Sequence, residues 1–126
     1  MYDTIINSFL LLFLLAAGHS LADTALQPDA MGKGKKRDKE IDLSRVPKGQ
    51  KPLNLWVMWL SHHSLIHGLV VASITGRAML GVVEALSHWI IDFFKGENLY
   101  SPYGDQALHL LMKVGFVLYI VSNPIL

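Results

Sequence analysis

The sequence contains no cysteine. That excludes disulfides, a thiolate metal site and a thiol nucleophile, so any bound metal must be held by His and carboxylates. Charge is also scarce. Asp, Glu, Lys and Arg make up 17% of the 126 residues, against about 25% in an ordinary soluble domain. The hydrophobic fraction of 52% excludes a disordered chain, which needs low hydrophobicity and high charge. A net charge of +1, with the basic residues confined to one short stretch, argues against a nucleic-acid partner. There is no Gly-rich phosphate loop and no internal repeat. The length predicts a single domain over 1–126.

The charge that is present is unevenly placed. The stretch 28–52 holds twelve charges, eight of them basic, together with Gly32, Gly34, Pro47 and Gly49. It reads as a polar loop, with Lys33–Lys39 as a topogenic anchor that meets anionic headgroups. The rest of the chain carries nine charges: Asp3, Asp23, Arg77, Glu84, Asp92, Lys95, Glu97, Asp105 and Lys113.

Four apolar segments remain, Thr4–Gln27, Leu53–Thr75, Gly76–Phe94 and Asp105–Val121. Each is near the roughly 20 residues that cross a bilayer as a helix. The expected fold is all-α, a small multi-pass transmembrane bundle of about four helices. Glu84, His88 and Asp92 interrupt the third segment, which is therefore either a span, a re-entrant piece or a helix buried in the bundle. A tight turn at Thr75–Arg77 and a Gly/Pro/Tyr loop at Gly96–Gly104 join the last three segments. The first segment lacks the positive n-region of a signal peptide and is read as a retained helix. The basic loop is expected on the cytoplasmic side, which puts the Lys95–Gly104 loop there too and the N-terminus, the turn at Arg77 and the C-terminus outside. Trp56, Trp59, Trp89, Tyr100 and Tyr103 suit an interfacial belt.

The polar residues inside these segments follow one spacing. His19 and Asp23, His63 and His67, His88 and Asp92, and Asp105 and His109 are each i, i+4 pairs. That spacing places both side chains on one helix face, as in helical metal-binding pairs. By composition alone about one His in four would have such a neighbour; here five of six do. With the basic loop cytoplasmic, three pairs lie near the cytoplasmic ends of their segments and His63 and His67 about two to four turns in, so all four can converge in the cytoplasmic half of one bundle. An ionised Asp near a helix centre costs about 2.5–3.5 kcal/mol even on lenient insertion scales. Facing inward around a cation, the same groups are neutralised.

The expected metal ligands are therefore His19, Asp23, His63, His67, His88, Asp92, Asp105 and His109. Nitrogen and oxygen donors suit Zn, Mn, Fe or Ni, with Zn or Mn foremost, as one or two ions. Glu84, one turn from His88, is the expected catalytic base or an orienting carboxylate. Lys113, one turn past His109, is expected to pair with a ligand or meet an anionic substrate. His62 points about 100° from His63 and is set apart from the cluster.

The ordered motifs His19-Ser-Leu-Ala-Asp23, His63-Ser-Leu-Ile-His67, Glu84-Ala-Leu-Ser-His88-Trp-Ile-Ile-Asp92 and Asp105-Gln106-Ala-Leu-His109 resemble domain-of-unknown-function family 3307, small membrane proteins of bacteria and tailed phages. The resemblance covers about Leu15 to Lys113. The family usually shows an aromatic and then Pro or Val before Leu26, where this chain has Thr24 and Ala25. The resemblance implies a multi-pass membrane protein of undetermined activity, and the expected location is the bacterial inner membrane. A more distant likeness is to inner-membrane proteins labelled metal-dependent hydrolases.

The predicted activity is metal-dependent hydrolysis of a lipid or lipid-linked (phospho)ester, with the bilayer as partner and homo-oligomers allowed. Two alternatives use the same residues. One is a non-catalytic, phage-type membrane factor stapled by a metal or a His/Asp network. The other is a metal or proton transport component.

Overall fold

The structure is a computed structural model that describes residues 2–37, 44 and 46–124. Asp38, Lys39, Glu40, Asp42 and Arg45 of the basic stretch lie outside the described residues. The described chain is all-helical, without strands. Its helices are α1 (Tyr2–Thr24), α2 (Asp29–Gly34), α3 (Trp56–Thr75), α4 (Ala78–Gly96) and α5 (Pro102–Ser122).

The four long helices follow the four apolar segments, with shifted ends. α5 starts three residues before Asp105. Ser101 is its N-cap and accepts from the Gly104 N–H, and Pro102 opens the first turn, where a missing N–H costs nothing. The Pro and Gly that read as loop are thus the start of a helix. The turn between α3 and α4 is tight because Gly76 closes α3 with φ of 66°, a left-handed cap that glycine adopts without a Cβ clash. The short α2 lies within the stretch expected to be a loop.

α1, α3 and α5 are each long and apolar enough to cross a membrane. α4 falls outside that class through charge, not length, because it carries Glu84, Asp92 and Lys95 in 19 residues. Its faces are sharply divided. Glu84, His88 and Asp92 are buried, while Met79, Val82, Val83, Leu86, Ile90 and Phe94 are exposed.

The whole molecule shares this inversion. Among the described residues, ten polar or charged side chains are buried against eight apolar ones. Exposed apolar residues cover α1 at Ile5, Phe9 and Phe13, α3 at Leu65 and Leu69, and α5 at Leu111 and Leu118. A water-soluble domain hides apolar side chains and rarely exposes so many. A bilayer reverses the preference.

Packing closes into a ring. α3 pairs with α4, α4 with α5, α5 with α1 and α1 with α3. The α3–α4 contact is the tightest, because Gly68 and Gly81 face each other. A Cβ at Gly68 would lie 2.6 Å from the Gly81 carbonyl oxygen, and one at Gly81 would lie 2.5 Å from that of Gly68. Small residues are the usual means of close helix approach in membranes. At one end, Leu15, Val71, Leu80, Phe116 and Val117 form a small apolar core. The polar cluster fills the other end.

Candidate metal centre

All four long helices contribute to the cluster. The i, i+4 pairs lie in the last two turns of α1, the middle of α3, the second half of α4 and the first two turns of α5. The up-and-down order of the helices brings those places to one level. His19, His63, His67, His88, Asp92, Asp105 and His109 are buried, and the Asp23 side chain is 23% exposed.

Asp23 joins α1 to α3. Its Oδ1 lies 3.2 Å from His63 Nε2 and 3.1 Å from His67 Nε2, and its Oδ2 lies 3.3 Å from His19 Nε2. His63 Nε2 is 3.2 Å from His88 Nε2. Asp92 uses its two oxygens in different directions. Oδ2 is 3.4 Å from His63 Nε2 and 3.7 Å from His88 Nε2, and Oδ1 is 3.4 Å from His109 Nε2. Asp105 Oδ1 is 3.5 Å from the same His109 nitrogen. The imidazoles of His67 and His88 stack at 3.6 Å, and those of His88 and His109 at 4.1 Å.

These separations have a plain meaning. Four N or O donors about 2.0–2.1 Å from one tetrahedral ion are spaced about 3.3–3.4 Å from each other. Three groups in this cluster place one donor atom each within 4.8 Å of the others: Asp23, His63, His67 and His88; His19, His67, Glu84 and His88; and His88, Asp92 and His109. His88 belongs to all three. Several buried polar atoms, among them His19 Nδ1, His63 Nδ1 and Glu84 Oε2, have no hydrogen-bond partner, although buried polar groups are normally paired. The residues thus fit a divalent cation in number, chemistry and spacing. Two ring nitrogens at 3.2 Å either share one proton or point their lone pairs at a common cation.

Glu84 sits on the far side of His88. Its Oε1 is 3.5 Å from His88 Nδ1 and bonds Lys113 Nζ. Lys113 and Glu84 are both 1% exposed. His62 is exposed, away from the cluster.

Among the described residues, three outside the expected set take part. Lys35, from the end of α2, places Nζ 2.6 Å from Asp92 Oδ2. Lys95 Nζ is 2.5 Å from Asp105 Oδ2. Gln106 Nε2 is 3.4 Å from Asp23 Oδ2. Lys35 was hidden in a run read only as a membrane anchor. It reaches Asp92 because α2 docks on α3, where a Cβ at Gly34 would fall 2.5 Å from Trp59 Cδ1. Lys95 had a signal in the sequence, since it lies one turn beyond Asp92 at the end of the same helix.

The aromatic residues divide. Trp56, Trp89 and Phe93 cluster, with Trp89 and Phe93 rings stacked at 5.5 Å. Tyr103 is 89% exposed. In the loop before α5, Tyr100 donates its hydroxyl to the Ile91 carbonyl. Burial, aided by Asp105 and Asp92, pushes its phenol up to about 12.

No family model, curated protein or solved structure matches this chain.

Proposed function

We propose that the chain is a multi-pass membrane protein in which α1, α3, α4 and α5 span together around a divalent-metal centre near the cytoplasmic face. We propose further that the centre hydrolyses a lipid or lipid-linked (phospho)ester. The observation that carries this reading is the donor spacing of 3.1–3.4 Å linking Asp23, His63, His67, His88, Asp92 and His109. Membership of family 3307 and placement in a bacterial inner membrane, with the basic stretch cytoplasmic, belong to the same proposal.

In this reading Asp23, His63, His67 and His88 would hold one ion. Asp92 turns its second oxygen toward His109 and Asp105, where a second ion would be held. A bound divalent cation supplies a water of lowered pKa and polarises an ester oxygen. Glu84 orients His88 through Nδ1, the usual task of a carboxylate behind a ligating His. Burial of the cluster excludes bulk water and keeps its electrostatics strong.

The alternative of a structural staple also has an observation in its favour. Lys35, Lys95 and Lys113 each contact a carboxylate of the cluster. Three ammonium groups beside Asp23, Glu84, Asp92 and Asp105 leave one negative charge when the imidazoles are neutral. A network so nearly balanced holds helices together without a cation.

The test is ester or phosphate release from vesicles of defined lipids by detergent-purified, metal-loaded protein. Wild type should turn over. His88→Ala and Asp92→Ala, folded by circular dichroism, should lose turnover and metal together. Folded, metal-loaded wild type with no turnover on any lipid ester would exclude the hydrolase reading, and variants that lose their fold in step with turnover would favour the staple.

A further inference from the structure

The ring of helices is not equally closed. Between α1 and α5 lies a cavity of about 180 Å³, lined by Ala16, His19, Ser20, Gln106, Leu110 and Lys113. We propose that this groove binds the bare phosphate head of an anionic phospholipid such as phosphatidate, which enters sideways from the bilayer. The inference rests on the membrane-hydrolase reading and names its substrate class and its route.

Four observations support the assignment. First, the groove lies between two helices that are each apolar and long enough to cross a membrane. Its mouth residues Ser20, Gln106 and Leu110 are exposed, and Phe13 and Leu111 beside them are 67% and 66% exposed. An acyl chain can lie along that surface while the head turns inward.

Second, the groove is polar where it is deep. Lys113 is buried, and its ammonium has three donors, of which the hydrogen bond to Glu84 uses one. His19 is 7% exposed, and its Nδ1 has no hydrogen-bond partner. A cationic donor and an imidazole nitrogen without a partner at the base of the groove are the groups an oxyanion requires.

Third, the size is selective. About 180 Å³ is smaller than the roughly 300–1,000 Å³ that encloses a drug-sized ligand. It suits a small phosphate head with the chains left outside.

Fourth, the groove opens on the centre. The His19 ring lies 4.7 Å from that of His109 and 4.8 Å from that of His67. A phosphate held by Lys113 and His19 would therefore stand beside the donor cluster.

Native mass spectrometry tests this on full-length protein in detergent micelles doped with phosphatidate or phosphatidylcholine, with the metal content measured on the same sample. Wild type should retain phosphatidate over phosphatidylcholine. Ala16→Phe, which fills the groove without altering a charge, should lower phosphatidate retention about tenfold and leave metal content unchanged. Leu110→Trp at the mouth gives a second blocking variant should Ala16→Phe fail to fold. Equal retention of the two lipids would overturn the proposal, as would full retention by a folded, blocked variant. Displacement of the lipid by an equal concentration of inorganic phosphate would overturn the lipid source in favour of a soluble anion. Groove-dependent retention by protein that binds no metal would uphold the groove and sink the metallohydrolase reading instead.

Discussion

His63 Nε2 and His88 Nε2 stand 3.2 Å apart, on two helices that meet where Gly68 and Gly81 touch backbone to backbone. The glycine contact lies one turn or more from each imidazole along its own helix, and it sets how near the two rings come. Gly81→Leu should therefore act on the cluster at a distance. Overpacking typically costs about 1–3 kcal/mol, and the cost here should be at the upper end because backbone carbonyls cannot move aside. Thermal unfolding in detergent should show a lower midpoint, and metal content should fall in the fraction that still folds.

Asp92 is held by Lys35 at one oxygen and faces His109 with the other. Lys35→Met removes a cation that competes for Oδ2. Metal affinity should rise by about fivefold or more, since one nearby charge typically shifts coupling by about 1 kcal/mol or more. Isothermal titration with Zn or Mn measures this. A pure structural network would respond differently, with loss of stability and no gain in metal affinity.

Glu84 and Lys113 form a buried pair. Removing one partner leaves an uncompensated buried charge and should cost about 3–5 kcal/mol, whereas replacing both with isosteres is often neutral. Glu84→Gln and Lys113→Met should each lower the unfolding midpoint sharply, and the double variant should recover most of the loss. Additive losses in the double variant would show that the two side chains act independently.

Tyr100 gives a titration outside the helices. Its phenol is held protonated by burial, with a folded value of about 12 against about 10 for an ordinary tyrosine. The unfolded chain loses this proton first, so the group's contribution to stability is present below pH of about 10 and is lost as pH rises toward 12. Absorbance titration near the phenolate band should show one tyrosine ionising late, and Tyr100→Phe should remove that late step.

The sequence carried the helices because their apolar runs are long and bounded by Gly, Pro and charge. It carried the cluster because i, i+4 spacing is a geometric constraint that survives without coordinates. Asp23 and Asp92 could be placed on a common level from topology alone. Which oxygen faces which nitrogen could not be read, because that depends on helix rotation set by contacts such as Gly68 with Gly81. Lys35 escaped for a different reason. In a run of basic residues each looks solvated, and only the docking of Gly34 against Trp59 selects the one that turns inward. The start of α5 was misread because Pro102 and Gly104 signal a loop, yet Pro is at home in a first helical turn.

X-ray absorption at the metal edge, on protein purified in detergent and quantified for Zn and Mn, decides whether these donors share a cation. One or two ions per chain are expected, with a nitrogen and oxygen shell at about 2.0–2.1 Å that contains several imidazoles and is lost in His88→Ala. Folded wild-type protein that neither retains nor takes up a divalent metal would contradict it.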